Sequence, residues 1–259
     1  MGELTGRRAL VTGAGRGLGR AIAVALADAG ADLGVTARTE ADLSSLAEEI
    51  GGMGRRCVWA VCDVTDLAQV REMAASLTEG LGGLEILVNN AGSAGSHKFL
   101  DHPDELWHKM LAANLSSVYY VTKACLPALI GAGGGRIVNI ASTAARAGSA
   151  YTAAYTAAKH GVLGLTRVLA VELVRYGITV NAVCPGYLDT PLTEESIANI
   201  VARTGATEEA ARASLEKTCP QGRLISPVEV AALVVYLARN EARGITGQAI
   251  NVDGGGVQS

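Results

Sequence analysis

The chain has 259 residues, is 49% hydrophobic and 18% charged, and carries a formal net charge of −3 from 22 Lys and Arg against 25 Asp and Glu. That is ample material for one large α/β core, and mild acidity without a basic block argues against a nucleic-acid partner. No apolar stretch approaches the roughly 18–20 residues of a membrane span, and the N-terminus shows neither a signal peptide nor a myristoylation pattern.

Apolar runs of strand length alternate with helix-length segments from end to end. Residues 9–11 are the first predicted strand, and 17–29 an amphipathic helix. A second strand covers 31–37 and a helix 40–50, for which Thr39 and Asp42 resemble a capping box. A third strand, 56–62, precedes a helix at 67–81 and a fourth strand at 84–89. One long helical region, about 103–130, leads to a fifth strand at 136–141. A proline-free run rich in Ala, Leu and Val predicts a long helix from about 149 to 176, then a sixth strand at 178–184. Residues about 190–216 are polar and helical in pattern; 227–238 is the last helix and 248–252 the last strand. Repeated β-α-β without a linker or internal repeat predicts one domain, 1–259. It is of the α/β class, a parallel sheet with helices on both faces and right-handed crossovers. Ligands of such sheets bind beyond the carboxyl ends of the strands.

Those ends carry unusual chemistry. After strand one comes Thr12-Gly13-Ala-Gly15-Arg16-Gly17-Leu18-Gly19, where glycines let the backbone approach a pyrophosphate and a following helix offers free N–H groups. After strand three, Asp63 is placed to accept from an adenine amino group or to cap the next helix, although Thr65 or Asp66 suits the cap better. Asn89-Asn90-Ala91-Gly92 follows strand four, where a ribose or a strand end must be held. Strand five ends at Ser142, and strand six at Pro185-Gly186 and then Thr190. Tyr155 and Lys159, four apart on one helix face, bring a phenol beside a cation that favours its ionised form. A phenol so tuned passes protons to or from a substrate oxygen. Tyr151, one turn earlier, has no lysine partner and is assigned to a substrate pocket or to packing. The five cysteines are scattered and odd in number, as in reduced thiols of a cytoplasmic protein. His97, His102 and His108 match no zinc spacing, so no metal is expected.

Taken in order, Thr12-Gly-x-x-x-Gly17-x-Gly19, Asn89-Asn-Ala-Gly92, Asn114, Ser142, Tyr155-x-x-x-Lys159 and Pro185-Gly186 resemble the motif set of the short-chain dehydrogenase/reductase family. The Ser-to-Tyr spacing of thirteen and the closing Gly247-Gln-Ala-Ile-Asn-Val-Asp253-Gly-Gly255 fit as well. The resemblance covers essentially the whole chain. It implies a single doubly wound Rossmann-type sheet of seven parallel strands, and hydride transfer between a nicotinamide and an alcohol/carbonyl pair. By the same resemblance Tyr155 is the proton donor and Ser142 holds the substrate oxygen. Lys159 lowers the phenol's pKa and binds the nicotinamide ribose, and Asn114 helps hold a relay water. Cofactor contacts fall to Gly13, Arg16, Gly17, Leu18 and Gly19, to Asp63 and Val64, to Asn90, Ala91 and Gly92, and to Pro185, Gly186 and Thr190, besides Tyr155 and Lys159. Residues about 190–223 correspond to a substrate lid, with Leu192, Ile197, Ile200 and Val201 as candidates to cover the substrate.

Ile137-Val-Asn-Ile-Ala-Ser-Thr143, Lys159-His-Gly and Gly177-Ile-Thr-Val-Asn-Ala-Val-Cys-Pro-Gly186 resemble ketoreductases of 3-oxoacyl and polyketide thioesters, and the long lid resembles that of 3-hydroxybutyrate dehydrogenases. An NAD-dependent alcohol or 3-hydroxy acid dehydrogenase is the alternative, and a catalytically silent nucleotide sensor a more remote one. Family members pair through helices with small residues and through the last strand, which implies a homotetramer. For the cofactor, Ala37 stands where an acidic residue would bind the ribose of NAD(H), and Arg38 follows at once. With Arg16 as a second cation, the pattern favours NADP(H) over NAD(H); otherwise Arg38 is a solvated residue or pairs with Glu40.

Overall fold

Apolar runs buried on both faces form the strands. Ala9 and Val11 pack with Ile86, Val88, Val138 and Val183 on one side of the sheet. Leu10, Leu87, Ile137 and Val180 pack on the other. Side chains alternate across a strand, so a run with no polar break buries both sides, as in parallel sheets covered by helices. The computed structural model describes residues 2–258. Its strands are β1 (Arg8–Thr12), β2 (Asp32–Ala37), β3 (Cys57–Val61), β4 (Ile86–Asn89), β5 (Gly135–Ile140), β6 (Ile178–Pro185) and β7 (Ala249–Val252). They form one sheet in the order β3-β2-β1-β4-β5-β6-β7, and every pairing is parallel. The expected seven-stranded, doubly wound arrangement is therefore present.

Helices α1 (Gly17–Asp28), α2 (Glu40–Gly52) and α9 (Pro227–Ala238) cover the first face through residues such as Ile22, Leu46 and Val234. The second face is covered by α3 (Leu67–Leu81), α5 (Ser117–Gly131) and α6 (Ala153–Leu173), through Leu77, Leu129 and Leu173. A short α4 (Asp104–Leu111) precedes α5, and α7 (Pro191–Thr204) and α8 (Glu208–Glu216) form an outlying pair. No helix among the described residues is long and apolar enough to cross a membrane. The five cysteines are unpaired.

Three local details differ from expectation. The long helical region expected over 103–130 is present as one continuous run from α4 into α5, but with an unforeseen π turn at Ala112–Ser116 inside it. The helix carrying Tyr155 begins at Ala153, so Tyr151 lies in the preceding turn, at φ +68, and not on the helix. Thr39 does sit at the N-cap of α2, but its hydroxyl accepts no hydrogen bond from the first turn. Asp42 is one methylene shorter than the Glu or Gln such a box uses, and it lies against Gly15 instead. The capping box that forms is Ser226 with Glu229, at the start of α9.

Candidate active site

The site begins between β1 and β4, where the winding of the sheet reverses. Thr12 ends β1, and its Oγ1 accepts from the N–H groups of Asn90 and Ala91, each at 3.0 Å. The Asn90 amide donates back to the carbonyls of Thr12 (2.9 Å) and Gly13 (3.1 Å). Asn90 thus holds strand ends together. Gly13 is left-handed at φ +63, and a Cβ on Gly19 would stand 2.1 Å from the Gly13 carbonyl oxygen, so both positions admit only glycine. Arg16 is the N-cap of α1 and offers its first turn no side-chain acceptor. Asp66, Thr207 and Ser226 cap α3, α8 and α9, while α2, α4, α5, α6 and α7 start without a side-chain cap as α1 does. An uncapped helix start facing a glycine turn suits an anion.

At the end of β3, Asp66 caps the next helix and Asp63 does not. Asp63 Oδ1 accepts from Thr65 N–H and Oγ1 at 2.9 and 2.7 Å. These bonds, aided by Arg38, hold its carboxyl below the usual range. Val64 follows it, partly buried. Arg38 is exposed and makes no ion pair among the described residues, with Glu40 or otherwise. Arg16 Nη2 lies 3.0 Å from Glu195 Oε1 on α7, a partner the sequence did not suggest.

The Tyr/Lys pair stands on the other side of the crevice. Lys159 is only 5% exposed. Its Nζ donates to the Ile140 carbonyl at 2.9 Å and lies 5.7 Å from the centre of the Tyr155 ring. Burial pulls the ammonium down to about 8. Burial also pushes the Tyr155 phenol above its ordinary value, opposed by a hydrogen bond from the Ser142 hydroxyl. The expected lowering of the phenol by Lys159 is therefore not what dominates here; desolvation is. Ser142 Oγ also accepts from Ala144 N–H at 3.1 Å, which fixes its turn. Asn114 sits inside the π turn, a distortion common at functional sites. Its Oδ1 accepts from Ser93 N–H at 3.2 Å and its Nδ2 donates to the Met110 carbonyl at 3.0 Å. A Cβ on Gly92 would stand 2.7 Å from Asn114 Oδ1 and 3.8 Å from Lys159 Nζ, so the three converge. The buried Ser93 hydroxyl beside them has no partner.

Pro185 ends β6, and Gly186 N–H donates to Val252 O of β7 at 3.1 Å. Thr190 stands at the N-cap of α7, and a Cβ on Gly17 would meet it at 3.6 Å. Three of the four residues expected to cover a substrate pack within the α7/α8 pair. Ile197, Ile200 and Val201 pack against Ala211, Leu215 and Leu224, a small core inside the α7/α8 pair. Leu192 alone stays exposed. The Ile140 carbonyl and the Thr12 hydroxyl were missed from sequence. A backbone oxygen leaves no signature there, but a Thr closing the strand before a glycine turn does.

A family model described as enoyl-(acyl carrier protein) reductase matches residues 13–256. The chain is 43% identical over 249 residues to a Streptomyces violaceoruber protein named as putative ketoacyl reductase 1 of the granaticin polyketide synthase, covering 95% of this chain and 92% of that one. It is 38% identical over 255 residues to a D-beta-hydroxybutyrate dehydrogenase of Cupriavidus necator, covering 98% and 99%. Among solved structures, a single-residue variant of actinorhodin polyketide ketoreductase with NADPH superposes with a TM-score of 0.93 at 39% identity, covering 98% of both chains. Carveol dehydrogenase from Mycobacterium avium in complex with NAD does so with a TM-score of 0.93 at 32% identity, covering 99% of both.

The Lys159 shift has a consequence for stability. Between about 8 and the ordinary value of 10.5, the unfolded chain holds this proton and the folded chain has released it. Stability contributed by Lys159 therefore rises with pH across that window. Tyr155 acts in the opposite sense, but only above its ordinary value of 10. In denaturant titrations the unmutated chain should gain on a Lys159→Met variant from pH ~8 to ~10. A constant difference between the two would mean that Lys159 is not desolvated.

Proposed function

This chain belongs to the short-chain dehydrogenase/reductase family, and from that premise we propose that it is an NADP(H)-dependent ketoreductase of 3-oxoacyl or polyketide-type thioesters. The observation that carries the reading is one rim on which Ser142, Tyr155 and Lys159 stand beside a glycine turn with an uncapped helix start. The residues present fit a dinucleotide. The amino end of α1 suits a pyrophosphate, Ser93 keeps a buried hydroxyl to spare, and the exposed Arg38 follows Ala37 where a 2′-phosphate is read. When bound, the nicotinamide supplies the hydride.

The chain's own groups manage the proton and the charge. Tyr155 holds its proton because burial favours the neutral phenol, and gives it to the carbonyl oxygen of the substrate. Ser142 donates to that oxygen and stabilises the charge developing there. Lys159 would hold the nicotinamide ribose, and Asn114 would help hold the water that relays protons to Lys159. The relatives named for ketoacyl and polyketide reduction support the substrate class. We read the whole chain as one domain, with residues 190–223 as its lid, working in the cytoplasm.

Assembly belongs to the same proposal. Val168, Val171 and Val174 are 54%, 77% and 60% exposed along one side of α6 and its last turn. A Cβ on Gly164 of that helix would meet nothing within 4 Å. Such a face suits a second copy of the chain, and a homotetramer is expected. Sedimentation at the mass of one chain at micromolar concentration would contradict it.

Activity tests the core of the reading. Tyr155→Phe should leave cofactor binding nearly intact and remove most of kcat with a 3-oxoacyl thioester. Tyr151→Phe, altering an exposed turn residue, should cost far less; equal losses would defeat the assignment. For the cofactor, the unmutated chain should show the higher kcat/KM with NADPH. Ala37→Asp combined with Arg38→Leu should shift preference toward NADH, and a preference for NADH before mutation would refute the reading.

A further inference from the structure

We propose that Glu195 sets how tightly this chain holds the 2′-phosphate of NADP(H), by competing for the guanidinium of Arg16. The inference rests on the NADP(H) reading and adds to it a residue on the lid. Arg16 Nη2 and Glu195 Oε1 are 3.0 Å apart, with both side chains more than half exposed. The neighbouring carboxylates are engaged elsewhere: Glu194 pairs with Arg212 of α8, and Asp189 lies 3.7 Å from the same guanidinium. Glu195 is thus the acid that α7 directs at the glycine turn. The base of the lid is seated there too, since a Cβ on Gly17 would meet Thr190 and Pro191 at 3.6 Å.

A guanidinium fork takes a carboxylate or a phosphate, and the phosphate carries more charge and more acceptor oxygens. Arg16 therefore has two partners that exclude one another. With NADP(H), the 2′-phosphate draws Arg16 from Glu195 and the tie between lid and glycine turn is lost. NAD(H) has no such phosphate and leaves the pair intact. Glu195 then weakens the grip on NADP(H) alone, and favours its release once the reaction is over. Because the pair is exposed, the expected effect is modest, about two- to five-fold, and sensitive to salt.

The test is equilibrium binding of NADPH and NADH, followed by nucleotide fluorescence at low salt. It compares the unmutated chain, Glu195→Gln, Arg16→Gln and the double variant. Glu195→Gln should tighten NADPH by about two- to five-fold and leave NADH unchanged, and the gain should vanish once Arg16 is Gln. Three results would each overturn the inference: no tightening, equal tightening of NADH, or a gain that persists without Arg16. Preference for NADPH in the unmutated chain with no response to Glu195→Gln removes this inference alone. Preference for NADH in the unmutated chain removes the cofactor reading and this one together.

Discussion

The tie between the carboxyl ends of the neighbouring strands β1 and β4 is the constraint on which the rest depends. The strand order reverses there, and the helices that follow the two strands leave for opposite faces. Nothing in the parallel ladder itself shapes the crevice that results. Four hydrogen bonds do, two received by the Thr12 hydroxyl and two given by the Asn90 amide. Because the Asn90 amide reaches the Gly13 carbonyl, the glycine turn is shaped from across the crevice. Gly19 closes against the same carbonyl. The shape of the glycine turn is therefore fixed by the sheet itself.

On the far side of that crevice, burial governs. Lys159 has a single backbone carbonyl as its hydrogen-bond partner, and so its charge is disfavoured. Tyr155 is disfavoured as phenolate for the same reason. The two values move toward and past each other, one down and one up. Burial thus favours the neutral form of both groups, the phenol on Tyr155 and the amine on Lys159.

Much of this was legible in the sequence, for reasons that differ by residue. The strands were visible because both faces are apolar, and the Tyr155/Lys159 pair because i, i+4 spacing survives in any helix. The π turn at 112–116 was not visible, since Ala-Ala-Asn-Leu-Ser is compatible with a regular α-helix. What distorts it is tertiary: Asn114 is held by Ser93 from another element and by Met110 from its own turn. The lid pattern likewise showed an apolar face on 191–204 but not what it packs against, and α8 turned out to take most of it. Arg16 and Glu195 lie 179 positions apart, and no local pattern joins them.

A buried polar ladder explains how the two sides of the site keep register. Asn89 donates to Thr122 at 2.9 Å and to Asn139 at 2.8 Å. Asn139 donates to Thr166 at 2.9 Å, and Thr166 to the Val162 carbonyl at 2.8 Å. The ladder links β4, β5, α5 and α6 beneath the candidate residues. Thr166 lies two turns beyond Lys159 on the same face of α6, and Asn139 directly precedes Ile140, whose carbonyl receives Lys159. The rotation of α6 that satisfies Asn139 is therefore the one that brings Lys159 to its carbonyl. Apolar residues of equal volume would bury as well, yet they would accept small rotations that directional hydrogen bonds refuse. Polar groups in this position thus serve geometry more than stability, because a phenol and an ammonium placed one turn apart are useful only if the helix holds one orientation.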